Sequence, residues 1–526
     1  MRAALLLAVT SIAFGQPYDI LITNARVVDG SGNPWYRADI GIRAGRIAAI
    51  GALTGQPATR TIAAAGMVVA PGFVDMMGAS SEPLLDDRTS AESKLRQGIT
   101  TILAGEGGST APSQKWPTYA AYFRALEQKG IALNVVHNVG AAQVRRMVIG
   151  VENRAPTPAE LARMQQLVDQ AMRDGAVGVS TALIYPPGTF ATTDELVALA
   201  QAAGRYGGLY LTHMRNESFA VLDAIKESIR IGESAKVPVH IFHLKAAGQD
   251  NWPLMQKAVD LIASSRARGL DVTADIYPYI RNGLGLAALI RPSHFSQGAE
   301  PFLKTLNKPE VRAALRREVE DTDDWENWYR HAGRNWDNIL IANVGKGIDK
   351  RFEGKSLAEV AKLRGTDDWT TFFDLLGMGE VSVNPKSMNE GQKHLALRTE
   401  WVSLCTDAPP TPLTATGAHP RAFGSFARVL GKYVREENVI SLENAVRKMT
   451  ALPANRLGLY DRGRITPGSA ADLLILDPDQ VADTATFTKP LSHSVGIPYV
   501  LVNGGAVIDN GRFTAANPGA VLRHRH

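Results

Sequence analysis

Eight short apolar runs are spread through the middle of this chain: "MVVAPGFVDM", "GITTILAG", "ALNVVHNVG", "AVGVSTALI", "GLYLTHM", "VPVHIFHLK", "GLDVTADIYP" and "WVSLCTDAPP". Helical patterns lie between several of them, such as "TPAELARMQQLVDQAMRDG", with Thr157 as N-cap and Glu160 three residues on. Strand-like runs alternating with helices favour a parallel sheet, and eight of them fit an α/β chain built as a (β/α)8 TIM-type barrel. The first run reads as a buried strand opening the barrel, entered through Pro71-Gly72 and ending in a Gly/Ala/Ser loop. More than 120 residues separate the seventh run from the eighth, far too many for a barrel connection. Residues from Gly283 to about Arg398 are therefore expected to form a mostly helical insertion able to cover the barrel mouth.

Outside the barrel the texture changes. "DILITNARVVDGSG" and "ADIGIRAGRIAAIG" are β-branched runs broken by Asp-Gly, Ser-Gly and Ala-Gly turns, and "ADLLILDP" and "PYVLVNGGAVIDNGRFT" repeat the pattern near the end. Residues 16–66 and 466–526 are expected to build one small β-sandwich domain from both termini, leaving 67–465 for the barrel. The leading "MRAALLLAVTSIAFG" has one early Arg, an apolar run and small residues at Ala13 and Gly15. It reads as a signal peptide over residues 1–15, which predicts export to the periplasm or medium. No later segment reaches 18 uninterrupted apolar residues, so no membrane span is expected.

The formal charge is only +5 over 526 residues, without basic runs or basic-aromatic interleaving, which sets nucleic-acid binding aside. Cys405 is the only cysteine. An internal disulfide and a thiolate metal cluster are thereby excluded, and any metal must rest mainly on His, Asp and Glu.

In a barrel, chemistry comes from side chains at the C-terminal ends of the strands. The fifth run ends "LTHMRNES", which puts His213 and Arg215 on one face of an extended chain. The sixth ends "IFHLKAAG", with His243 and Lys245 at the same spacing, and the eighth ends "LCTDAPP", with Asp407. A single such residue is usually a hydrogen-bonded core histidine or a turn-opening aspartate. Two imidazoles on successive strands plus a carboxylate on the last one converge on one mouth, where they suit Zn2+.

That order of residues, with a β-domain built from both termini, resembles the amidohydrolase superfamily and, within it, the D-aminoacylases (N-acyl-D-amino-acid deacylases). The likeness runs through "APGFVD", "SKLRQGITT", "STALIYPPGTFATTDEL", "YGGLYLTHMRNE", "DIYPY", "HPRAFGSFARVLG", "KMTALPANRLGL" and "GRITPGSAADLLILDP". It implies zinc-dependent cleavage of the amide of an N-acyl amino acid, with Asp407 as proton carrier. Lys245 and Tyr277 match positions that contact the substrate carboxylate, and Arg215 and Arg421 are further candidates for that contact. The family serine six residues beyond the tyrosine is Gly283 here.

Two departures bear on the metal. The family has His-x-His after its first-strand "GF-[IV]-D", where this chain has Met77 and Ala79. Its second strand ends Gly-Asn-Cys-Gly, with the Cys on zinc. Here the tetrad is "GEGG", Gly105 to Gly108, so Gly107 stands at the Cys position and Glu106 precedes it. Losing both histidines removes the more exposed metal site. The deeper one survives if Glu106 joins His213 and His243, since a carboxylate with two histidines is a known zinc set with room for water. One zinc per chain is then expected. Two alternatives stay open: a hydrolase of another amide, imide or peptide-like substrate, and a metal-free descendant that binds a ligand without turning it over.

Overall fold

The structure is a computed structural model that describes residues 17–295 and 298–524. The expected signal peptide lies outside the described residues. All eight apolar runs supply barrel strands: β1 (Phe73–Asp75), β2 (Ile99–Ala104), β3 (Asn134–His137, continued by Val139–Gly140), β4 (Gly178–Ala182), β5 (Leu209–His213), β6 (Val239–Ile241), β7 (Val272–Ile276) and β8 (Val402–Leu404). Neighbours pair in parallel throughout. The ring closes where the Met76 amide donates to the Leu404 carbonyl at 3.4 Å. Every residue of these strands is buried, which explains their near-continuous apolar texture: helices cover one face and the barrel interior the other.

Helix ends follow their sequence signals. Thr157 and Glu160 form a reciprocal capping box on the helix Pro158–Asp174, which stops at left-handed Gly175. Thr192 caps Thr193–Gly204 by accepting a hydrogen bond from the Glu195 amide.

The first apolar run is two strands, not one. Val68–Pro71 pairs antiparallel with Leu473–Leu476 in the terminal sheet, and only β1 enters the barrel. Gly72 is the hinge, and a Cβ there would lie 2.1 Å from the Thr100 hydroxyl oxygen. Only glycine lets the chain pass that close. The terminal sheet has nine strands from both ends of the chain. Its long strand Tyr18–Val27 is bulged between Ile22 and Ala25, so one half pairs with Ala58–Ala63 and the other with Val68–Pro71. Ile22, Ile40, Ile62, Leu473 and Ile475 share the resulting apolar interior.

The insertion is less purely helical than its sequence suggests. Besides helices such as Pro309–Asp321 and Asp368–Met378 it holds a three-stranded antiparallel sheet of Leu284–Gly285, Val381–Pro385 and Ile339–Val344. A two-residue edge strand and a central strand ending in proline carry little alternation to read. Its own core stacks Tyr329, Trp336, Trp369 and Phe372, with the Trp336 and Trp369 rings 5.0 Å apart at 89°. Among the described residues no helix is long and apolar enough to cross a membrane.

Candidate active site

Glu106, His213 and His243 meet at the C-terminal mouth of the barrel, each offering one donor atom within 4.8 Å of the others. His213 Nδ1 lies 3.0 Å from Glu106 Oε1 and His243 Nε2 3.7 Å from the same oxygen, with the imidazole centroids 4.6 Å apart. His213 Nε2 is buried without a hydrogen-bond partner. Glu106 Oε1, His213 Nδ1 and His243 Nε2 converge as a carboxylate and two imidazoles, a donor set that suits a divalent cation. Burial alone would raise the Glu106 carboxyl, but the His213 hydrogen bond and the nearby His243 imidazole outweigh it and hold the group at about 2. Burial and Lys245 push the His243 imidazole down, but Glu217, Asp407 and Glu106 outweigh them and raise it to about 9.

The loop after β2 explains how a glutamate one residue early reaches this cluster. Gly105 takes φ +95°, where a Cβ would lie 2.6 Å from the Asn138 side-chain oxygen. A Cβ on Gly107 would lie 2.3 Å from the backbone nitrogen of Ala182. The loop is packed against the ends of β3 and β4 so tightly that position 107 admits no side chain, and the turn at Gly105 aims Glu106 inward instead. Asn138 Nδ2 donates to the Gly105 carbonyl at 2.9 Å, and the Ser180 hydroxyl donates to the carbonyl of Glu106.

Asp407 lies three residues beyond β8, beside this cluster, and is ion-paired with Arg421, whose guanidinium also lies 4.8 Å over the Tyr277 ring. Lys245 is buried, with Nζ 2.6 Å from Glu217 Oε1 and 2.8 Å from His243 Nδ1. These residues share a cavity of about 250 Å³ with Glu106, His213, Tyr277 and the insertion's Leu284 and Trp328. His243 and Asp407 have φ of +36° and +49°, strained values for residues with a Cβ. Such strain costs on the order of 1–3 kcal/mol each and is concentrated at working sites.

Arg215 is not part of this cavity. Its guanidinium donates to Glu227, at 2.9 Å from Oε2, and to the carbonyls of Thr189 and Ala191. Alternation put Arg215 on the His213 face only while the strand lasts, and β5 ends at His213. Glu217 is the residue that the sequence reading missed. It is buried, 2.9 Å from His243 Nδ1 and 3.6 Å from His213 Nε2. Its position four residues after His213 in a polar run was the available signal. Glu326 of the insertion accepts hydrogen bonds from the Glu217 amide and the Ser218 hydroxyl, and burial beside Glu217 raises its carboxyl to about 7.

The first-strand position is organised differently. Met77 is buried among Leu211, Phe242 and Tyr277, and Ala79 has φ +54°. Behind them Lys94 Nζ lies 3.0 Å from Asp75 Oδ2 and 2.7 Å from the Ala408 carbonyl, with both ion-pair side chains fully buried. A larger cavity of about 520 Å³ opens near His240, Asp271 and Arg456, and the three-donor cluster is not among its lining.

The amidohydrolase family model matches residues 60–508, and the urease alpha-subunit N-terminal domain model matches residues 8–74. D-aminoacylase of Alcaligenes xylosoxydans xylosoxydans is 34% identical over 96% of this chain and 98% of its own. N-acyl-D-glutamate deacylase of the same organism is 35% identical, covering 96% of each. Among solved structures, N-acyl-D-glutamate deacylase from Bordetella bronchiseptica, complexed with zinc and a phosphonate mimic of the tetrahedral intermediate, superposes with TM-score 0.82 at 33% identity, over 97% of this chain and 100% of that one. A D-aminoacylase structure concerned with the role of a binuclear metal centre gives TM-score 0.79 at 31% identity, over 96% and 100%. By its barrel, its two-ended β-domain and these full-length likenesses, the chain belongs to the amidohydrolase family, in its D-aminoacylase branch.

Proposed function

We propose that this protein is a zinc-dependent hydrolase that cleaves the amide of N-acyl-D-amino acids to a carboxylate and a free amino acid. The observation that carries the reading is the convergence of Glu106, His213 and His243 next to Asp407 at the barrel mouth. Those three side chains would hold one zinc per chain, since Met77 and Ala79 offer no donors for a second. Bound there, zinc supplies a Lewis acid for the scissile carbonyl and lowers the pKa of an attacking water. Asp407 takes the proton from that water and returns it to the leaving amine, a transfer that needs a carboxylate within hydrogen-bond reach of both. Arg421 and Tyr277 hold the substrate carboxylate, the guanidinium by charge and the phenol by hydrogen bond. Lys245 supports the same anion from beside Glu217 and keeps His243 oriented through Nδ1.

Export is part of the proposal and rests on the leading apolar run with its small-x-small end. The mature chain should begin at or within a few residues of Gln16. The function is tested by metal analysis of purified protein together with amine release from N-acetyl-D- and N-acetyl-L-amino acids. One equivalent of zinc with release from the D series supports it. Protein that stays metal-free after zinc-replete expression and releases no amine would instead be a ligand-binding descendant.

A further inference from the structure

His213 and His243 each turn one ring nitrogen to Glu106 and the other to a single carboxylate behind them. Glu217 Oε1 lies 2.9 Å from His243 Nδ1, within hydrogen-bond distance, and Glu217 Oε2 lies 3.6 Å from His213 Nε2, a few tenths of an ångström beyond it. Lys245 Nζ, 2.6 Å from Glu217 Oε1, keeps that carboxylate in its charged form. A charged carboxylate can only accept, so it draws the ring protons to His243 Nδ1 and His213 Nε2. The lone pairs are then left on His213 Nδ1 and His243 Nε2, the nitrogens that face Glu106 Oε1 at 3.0 and 3.7 Å. A carboxylate that served only to close a turn would need neither imidazole.

Glu217 is pinned from two directions. Its carbonyl accepts from the Ala247 amide at 2.7 Å, and Ala247 and Lys245 both belong to the segment after β6 that carries His243. Its amide donates at 2.7 Å to Glu326 Oε1, which also accepts the Ser218 hydroxyl at 3.0 Å. Glu326 comes from the insertion. Trp325 and Trp328 on either side of it are buried in the insertion's own core, and Asn327 Nδ2 donates to the Val319 carbonyl at 2.7 Å. The packing of the insertion therefore sets where Glu326 stands, and Glu326 sets the backbone from which Glu217 reaches the histidines.

We propose that Glu217 is the positioning residue of both zinc-binding histidines, fixing which nitrogen of each ring faces the metal, and that Glu326 ties this residue to the insertion. The proposal rests on the zinc site described above and deepens it. The test measures the zinc dissociation constant of the full-length mature protein by chelator competition, beside the unfolding midpoint of the metal-free protein, so that neither turnover nor substrate enters. Glu217→Gln keeps the shape but leaves one accepting oxygen and turns N–H groups toward the other imidazole. It should weaken zinc binding about 10–100-fold with the midpoint little changed. Glu326→Ala should weaken binding about tenfold, acting through Glu217. Glu326→Gln, whose side-chain oxygen still accepts both bonds, should restore wild-type affinity. If Glu326→Ala does not fold, Glu326→Met, of similar length and without that acceptor, takes its place. Wild-type zinc affinity in folded Glu217→Gln overturns the positioning role and leaves the reaction standing. Equal affinities in the Glu326→Gln protein and the variant lacking the acceptor overturn the tie to the insertion. Wild-type protein that binds no zinc takes down the metal site and this proposal together.

Discussion

The two sides of the barrel mouth have been settled in opposite ways. At the ends of β2, β5 and β6, three donor groups face one point, one imidazole nitrogen is left unsatisfied, and two glycines are packed so closely that the loop can do little but present Glu106. At the end of β1 no donor is offered: Met77 packs into the barrel core, Ala79 lines the cavity with a methyl group, and the Lys94–Asp75 pair is buried nearby. A decayed site would have lost its directing groups throughout. Here the first-strand position packs Met77 into the core, while the mouth side keeps three convergent donor groups, one of them the carboxylate of Glu106.

The contrast can be broken most sharply at the histidines. His213→Ala and His243→Ala should each lose bound zinc and lower kcat/KM by more than the roughly 100-fold that outer partners of a metal site cost, measured by metal analysis and steady-state kinetics. If either variant kept full metal and activity, the donor side would be misassigned. Asp407→Asn should separate metal from chemistry, with zinc retained while kcat falls by about 10²–10⁴-fold, the scale of general acid–base catalysis. Near-normal kcat would remove Asp407 from proton transfer.

On the first-strand side the expected effect is on folding. Lys94→Met leaves the Asp75 carboxylate buried without its cation and should destabilise the protein by about 3–5 kcal/mol in denaturant unfolding, with zinc content unchanged. Lost zinc without lost stability would mean that the first-strand region still serves the metal. The smallest effect belongs to Arg215→Ala, which removes a partly exposed ion pair outside the cavity and should leave kcat/KM within about threefold. A collapse in substrate affinity would return Arg215 to the site.

The barrel was legible because each strand is a buried apolar run and the alternation with helices leaves few other arrangements. His213, His243 and Asp407 were legible because polar groups at strand ends are rare in such runs. Arg215 was misplaced because period-two alternation was carried past His213, where the strand ends. The first run was read as one strand because nothing in "VVAPGFVD" shows that Gly72 must pass 2.1 Å from where Thr100 would meet a Cβ. Glu326 and the insertion's small sheet depend on contacts between distant segments, which no local pattern carries, and Glu217 offered only its place four residues after His213 in a polar run.

The central claim is that Glu106 has taken the place of the family's thiolate. Its most direct test is a crystal structure of the zinc-loaded mature protein with the metal located by anomalous scattering. The account predicts one zinc with a Glu106 oxygen at about 2.0–2.2 Å and nitrogens of His213 and His243 at about 2.0–2.1 Å. A zinc held by the two histidines with the Glu106 carboxylate turned away to solvent or to a basic side chain would contradict it.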